Sequence, residues 1–234
     1  MLGIKTKLKK NLGSAFASLT GGKLSNDITI TRLMNHFRAD PYGHRANINE
    51  SDLGYGWIHY ALVRMMKPKN ILCIGSGFGY IPGVLAQACK DAKSGHVDFV
   101  DAGYGPNDKN HWTGKAFWKT KKGREIFDNF GLKKWLTLYL MLSHEYAKKN
   151  KRQYEYIYID ADHSYRGVLG DYQLFWPRLR EGGFMAFHDI NIKKTLAEGK
   201  YGVYKLWKSI KNKSAFEFKF VGSGLGIIQK NSAK

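Results

Sequence analysis

Tyr156-Ile-Tyr-Ile-Asp160-Ala-Asp162-His163-Ser-Tyr165, followed by Gly182-Gly183-Phe-Met-Ala-Phe-His188-Asp189, decides the fold of this chain. An aromatic and β-branched run that stops at an acid reads as a buried strand. A helical stretch follows from Tyr165, then a Gly-Gly turn and a second apolar run ending in His-Asp. Asp160, His163, His188 and Asp189 would then gather at the carboxyl ends of neighbouring strands. Open α/β sheets place their ligands in that crevice. All four are candidate metal or acid–base side chains.

Upstream, Asn70-Ile-Leu-Cys73-Ile-Gly75-Ser76-Gly77-Phe-Gly79-Tyr80 reads as a strand running into a glycine-rich turn. Glycines let the backbone turn sharply and a ligand approach closely. A dinucleotide fingerprint needs glycine where Tyr80 stands, and the Lys-Ser/Thr of a phosphate-binding loop is absent. The tighter spacing suits a nucleoside that carries an amino-acid chain and no pyrophosphate. Val97-Asp-Phe-Val-Asp101 is the next strand, ending in a carboxylate that can accept both hydroxyls of a ribose. A structural turn alone would explain the glycines. Asp101 turns the balance toward nucleoside binding.

From residue 70 onward strands and helices alternate. Strands are expected at 70–74, 97–101, 136–142, 155–160, 183–188, 217–221 and 225–229. Helices are expected at 57–66, 80–92, 115–130, 144–150, 165–177 and 201–212. Such alternation argues a mainly parallel sheet covered on both faces. The last two strands lie close together around Gly222-Ser-Gly224 and read as an antiparallel hairpin. Residues 57–234 are taken as the main domain, and 1–56 as a basic helix plus a cap or substrate-side segment.

A length of 234 residues, 43% hydrophobic and 14% aromatic, suits one globular core and excludes a disordered chain. No apolar run reaches the roughly 18 residues of a membrane span. Cys73 and Cys89 fall in an expected strand and helix, without metal-type spacing, and fit a cytoplasmic setting. The net charge of +19 attracts polyanions, anionic lipid or acidic substrates without choosing among them. A lysine-rich solvated surface explains it equally well, and no nucleic-acid motif stands out. Before Asp27, Ile4, Leu8, Leu12, Phe16 and Leu19 share one helical face, with lysines mostly elsewhere. Residues 1–20 thus suit peripheral contact with the inner membrane face. A transit peptide or a docked helix are the alternatives.

With these motifs in place, the chain resembles class I S-adenosylmethionine-dependent methyltransferases from about Tyr60 to Gln229. The resemblance implies an α/β, doubly wound, mainly parallel seven-stranded Rossmann-like sheet with a C-terminal antiparallel hairpin strand. It implies S-adenosylmethionine as cofactor, bound by Gly75, Ser76, Gly77, Gly79, Tyr80, Asp101, Ser143 and Asp160. One departure is Cys73, which stands where the family usually carries an acid two residues before the first glycine. The acid–histidine cluster, Gly202-Val-Tyr-Lys-Leu-Trp207 and Gly222-Ser-Gly224-Leu-Gly226 resemble the small-molecule and sugar O-methyltransferases, including macrolide-sugar and cephalosporin-pathway relatives. In metal-dependent relatives the positions of Asp160, His188 and Asp189 bind magnesium. His188 replaces an acid there, and imidazole better suits manganese, iron or zinc. The same resemblance makes His163 the base, with His188 as second candidate.

The residue types fit that chemistry. A sugar hydroxyl is a poor nucleophile until its proton is taken, and histidine titrates near neutrality. A divalent cation alongside would orient two hydroxyls and lower the pKa of one. The expected acceptor is a small molecule or glycan, while the positive charge leaves RNA or protein as rival acceptors. A non-catalytic, membrane-associated scaffold is the non-enzymatic rival. Asp160 or Asp162 would otherwise cap the helix that follows, and His188 would otherwise bond to backbone. Asp171 and Trp176 read as polar face and core. His111 and Trp112 sit in a loop that would line the pocket.

Overall fold

In the computed structural model the described residues are 27–39, 43–103, 116–196, 199–211, 214–220 and 222–231. The basic segment 1–20 and the loop residues His111 and Trp112 lie outside them. Strand β1 (Asn70–Ile74) is the middle of the fold, paired in parallel with β2 (His96–Asp101) and β4 (Tyr154–Ile159). Its side chains alternate between two apolar layers: Ile71 and Cys73 face one, Leu72 and Ile74 the other. Both faces being buried explains the near-continuous apolar runs that mark these strands in sequence.

Beyond these, β3 (Leu136–Leu140) pairs with β2, and β5 (Leu179–His188) with β4, both parallel. Strand β9 (Leu225–Gln229) inserts antiparallel between β5 and the edge strand β8 (Ala215–Phe218). The seven-stranded order is β3-β2-β1-β4-β5-β9-β8, and the seven strands, the mainly parallel sheet and the antiparallel C-terminal pair match the sequence expectation. A two-stranded ribbon, β6 (Thr195–Leu196) and β7 (Gly199–Lys200), stands apart.

Helices α1 (Asp27–His36), α2 (Tyr55–Met66), α3 (Tyr80–Ala92) and α4 (Lys121–Asn129) feed the first layer. Helices α5 (Ser143–Lys149), α6 (Tyr165–Phe175) and α7 (Val203–Ile210) feed the second. Ile30, Leu33, Met34 and Phe37, from α1 and just after it, are buried with the side chains of α3 in that first layer. Each such side chain contributes about 1.5–3 kcal/mol of burial. Among the described residues no helix is long and apolar enough to cross a membrane.

Element boundaries shift from the sequence reading where local hydrogen bonds overrule periodicity. The stretch read as one helix over 115–130 contains a 3-10 turn at Phe117–Lys119. The Thr120 side chain then accepts from the Gly123 N–H at 3.1 Å and starts α4 afresh. Strand β3 stops at Leu140, because the Glu145 carboxylate reaches back to the Leu142 N–H at 3.1 Å and begins α5. The strand expected at 217–221 lies earlier, at Ala215–Phe218, set by its register with β9. Helix α7 starts at Val203, leaving Tyr201 before it.

Two glycines are demanded by close approach. Gly75 has φ +68°, and a Cβ there would lie 2.4 Å from the Asp160 carbonyl oxygen, so the first turn sits directly against the end of β4. A Cβ on Gly226 would lie 2.8 Å from the Trp207 indole, which lies across β9. Helix α5 is pinned by a buried network: Asp98 accepts from the Tyr146 hydroxyl at 2.7 Å and the Arg152 guanidinium at 2.6 Å. Asp98 is buried while Arg152 is exposed, so the Tyr146 bond to the charged Asp98 carries most of the pin, at about 1.5–3 kcal/mol. The pin fixes Ser143, the first residue of α5, against the crevice described next.

Candidate active site

Two clefts open at the carboxyl ends of the parallel strands. The first, about 410 Å³, is lined by Gly75, Ser76, Gly77, Asp101, Ser143, Asp160 and Asp171, among others. Its floor is the turn after β1, and its sides are the ends of β2 and β4 with helix α6. Asp101 accepts from the Gly103 N–H at 2.8 Å. Burial pushes its pKa up to about 6, against the lowering effect of the Gly103 and Ser76 N–H groups. Asp171 is also buried and raised to about 6 by desolvation, while the Ser143 hydroxyl bonds to it and pulls the other way. This pairing is not legible in the sequence, because α6 presents Asp171 as an ordinary polar-face residue.

Other expected cofactor residues lie elsewhere. Gly79 backs onto Trp118 and Phe127, where a Cβ would come within 2.9 Å and 3.1 Å. Tyr80 is buried, its hydroxyl donating to the Leu53 carbonyl at 2.6 Å, and it lines the second cleft instead. Cys73 lies beneath the turn, its thiol 3.6 Å from the Gly75 carbonyl. Burial pushes that thiol's pKa well up, so it cannot supply the negative charge of the acid it replaces.

The second cleft, about 780 Å³, is lined by His44, Tyr80, Asp160, His163, His188, Asp189, Tyr201 and Ser223, with further residues at its mouth. Ser76, Gly77, Asp160 and His163 belong to both clefts. The two spaces therefore meet at the end of β4.

At that junction the four acid and histidine side chains read from the sequence do come together. His163 Nε2 lies 3.4 Å from Asp160 Oδ1 and 3.1 Å from Asp189 Oδ2. His188 Nδ1 lies 3.4 Å from Asp160 Oδ1 and 3.3 Å from Asp189 Oδ1. The Tyr158 hydroxyl donates to the other oxygen of Asp160 at 2.9 Å. Asp189 holds φ +62°, a left-handed conformation that costs a non-glycine residue about 1–2 kcal/mol. The strain turns the chain just as β5 ends. Asp162 is exposed and accepts from the Ser164 N–H at 2.9 Å, while the cap of α6 is Ser164, not Asp160 or Asp162 as the helix-cap alternative had it.

The electrostatics follow from this packing. Burial works to raise the Asp160 pKa, but the His188 charge and hydrogen bonds from both histidines hold it far below the usual carboxylate range. Burial works to lower His188, yet Asp189 and Asp160 push it well above its ordinary value. His163 is likewise raised against burial, first by its bond to Asp160 and then by the Asp189 charge.

Three partners of the cluster carried no signal in the sequence. The Ser223 hydroxyl donates to the Gly43 carbonyl at 2.6 Å and lies 2.9 Å from His188 Nε2. Because the Ser223 proton is committed to Gly43, His188 Nε2 must carry the other proton. Its Nδ1 is thereby the nitrogen presented to the acids. Tyr201 stacks on His163, centroids 4.5 Å apart and planes 7° from parallel. His44 lies over His188 at 4.3 Å. Burial and then the His188 charge hold His44 well below its ordinary pKa, so it is neutral.

Asp160, His163 and Asp189 each offer one ligand atom, all within 4.8 Å of one another, which is the spacing of a divalent cation site. The mixed oxygen and nitrogen donors suit manganese, iron or zinc as well as magnesium. Nδ1 of His188 faces the same two carboxylates. The Ser223 bond is the kind of outer partner that fixes a ligating imidazole.

No curated protein matches the sequence significantly. Solved structures share the fold at low identity. An O-methyltransferase from Bacillus cereus, in complex with SAH, superposes with TM-score 0.58 at 18% identity, covering 88% of this chain and 92% of that one. TomG from Streptomyces achromogenes, an O-methyltransferase involved in tomaymycin synthesis and solved with SAM, gives 0.59 at 12% identity over 87% and 90%. A Klebsiella pneumoniae protein provisionally described as an O-methyltransferase gives 0.62 at 18% identity over 87% and 90%. A family profile described as a methyltransferase domain matches residues 72–190, just over half of the 234 residues, and the chain belongs to that methyltransferase family.

Proposed function

We propose that this chain transfers a methyl group from S-adenosylmethionine to a hydroxyl of a sugar or another polyhydroxylated small molecule. The observation that carries the reading is the junction of the two clefts at Ser76, Gly77, Asp160 and His163. A nucleoside-sized cleft ending in a ribose-type acid opens there onto a larger one floored by acids and imidazoles. S-adenosylmethionine supplies a sulfonium methyl group when bound. Gly75 and Gly77 allow its amino-acid end close to the backbone, and Asp101 would accept its ribose hydroxyls.

His163 would take the acceptor's hydroxyl proton as its oxygen meets that methyl group, through the ring nitrogen that does not bond Asp160 and Asp189. That base works only from its neutral form. The two carboxylates raise its pKa, so the neutral form is gained by higher pH or by positive charge placed between Asp160 and Asp189. A divalent cation held by Asp160, His188 and Asp189 would supply that charge and acidify the hydroxyl. The Tyr158 hydroxyl holds Asp160 in place, and the Tyr201 ring holds the His163 plane.

Calorimetric titration with S-adenosylhomocysteine, with and without magnesium or manganese, tests the reading. Micromolar binding is expected, and its absence under every condition would sink it. Turnover unaffected by EDTA would remove the cation from the mechanism. His163→Ala should cost about 100-fold or more in turnover if it is the base. A fully active variant would move that role elsewhere.

A further inference from the structure

The mouth of the second cleft has a charge pattern of its own. Lys193 and Lys194 line it directly. Arg45 follows His44 in the chain, and its guanidinium lies 5.0 Å from the Phe220 ring. Arg38 places its guanidinium 4.6 Å over Phe78, a residue that also lines the cleft. All four basic side chains are exposed. The lysine and arginine ion pairs of the described residues use Lys133, Arg152, Arg180, Lys211 and Lys219. None of these four side chains is among them. The two acids inside this cleft, Asp160 and Asp189, are engaged by His163 and His188 rather than by the rim.

Lys193 and Lys194 line one concave opening with no carboxylate partner among the described residues and repel one another, and Arg38 and Arg45, beside the lining residues Phe78 and His44, add to the same field. A concave, low-dielectric wall focuses their field and concentrates anions at the opening. A cleft of about 780 Å³ is within the range of small-molecule sites. The charge is therefore placed where one end of a small acceptor would lie while its other end reaches the acid–histidine junction.

Resting on the methyl-transfer reading above, we propose that the acceptor carries an anionic group, a phosphate or a carboxylate. Lys193 and Lys194 hold that group, with Arg45 and Arg38 adding to the field, while a hydroxyl of the same molecule reaches His163. Lysine suits this task as a mobile point charge with three donors.

The test uses the full chain loaded with S-adenosylhomocysteine, titrated with inorganic phosphate and, separately, with acetate, following backbone amides by NMR. Saturable shifts at Asn191 to Lys194 are expected with at least one anion. Tighter binding of phosphate would identify a phosphorylated acceptor, and equal or tighter binding of acetate a carboxylated one. The Lys193→Gln/Lys194→Gln double variant should bind the anion at least about 10-fold more weakly, with unchanged melting temperature and unchanged S-adenosylhomocysteine affinity. No saturable shift in that segment with either anion would overturn the proposal, as would a double variant that binds like wild type. S-adenosylhomocysteine binding is read in its own titration, so a failure of the methyl-transfer reading is told apart from a failure of the anion site.

Discussion

Asp101 and Asp160 end the two strands that flank β1, yet their surroundings set them to opposite tasks. Asp101 is largely buried, receives backbone N–H groups and has no cation partner among the described residues, so its pKa climbs to about 6. Asp160 is equally enclosed, but two imidazoles and a tyrosine hydroxyl surround it and hold it ionised. The same residue type at equivalent places in the topology becomes, in one cleft, a carboxyl held by backbone N–H groups with a raised pKa. In the other it is the negative pole of a charged cluster. Position in the fold chooses where a carboxylate stands; its neighbours choose what it does.

The largest effect that would break this contrast is expected from Asp160→Asn. It removes the charge that both histidines share and should lower turnover by at least about 100-fold. Steady-state kinetics read it, and a near-normal rate would show that Asp189 alone organises the cluster. Asp101→Asn should leave the chemistry at β4 intact and weaken S-adenosylhomocysteine by about 10- to 100-fold, the worth of a charged hydrogen bond. Calorimetry reads that loss, and an unchanged affinity would remove Asp101 from the ribose site.

The pH dependence sharpens the same point. Burial raises the native Asp101 pKa from the ordinary 3.8 to about 6, so the native protein binds this proton more readily than the unfolded chain. Its contribution to stability therefore falls as pH rises from about 4 to 6. The melting temperature of Asp101→Asn, relative to wild type, should gain above pH 6 and lose that gain near pH 4. Cofactor affinity runs the other way, weakening as pH drops through about 6 and the carboxylate takes up its proton. Affinity that is flat across this window would mean that the ribose does not use the ionised form. The smallest effect belongs to Tyr158→Phe. Losing one hydrogen bond of about 1 kcal/mol should reduce turnover only a few-fold.

The sheet and the acid–histidine cluster were legible in the sequence because each is written locally. Strands buried on both faces leave unbroken apolar runs, and Asp160, His163, His188 and Asp189 stand at the ends of two of them. Cleft walls brought in from far along the chain left no such trace. His44 and Ser223 are short polar residues in loops, and nothing nearby in sequence ties them to His188. Tyr201 looks like the first residue of a helix until the helix begins at Val203. Asp171 on α6 looks solvated until Ser143 arrives from α5 to bond it. Gly79 and Tyr80 fit the motif by spacing, while the three-dimensional turn sends one toward the aromatic core and the other toward the second cleft.

The bond from Ser223 to Gly43 joins residues 180 positions apart. It has a consequence for the order in which a ribosome delivers the enzyme. Strands β1 to β5, and with them both carboxylates and both imidazoles, emerge before Ser223, the residue that anchors His188 Nε2. Strand β9, which pairs with β5, follows Ser223 as well, so the anchor of His188 and the last pairing of the sheet arrive together.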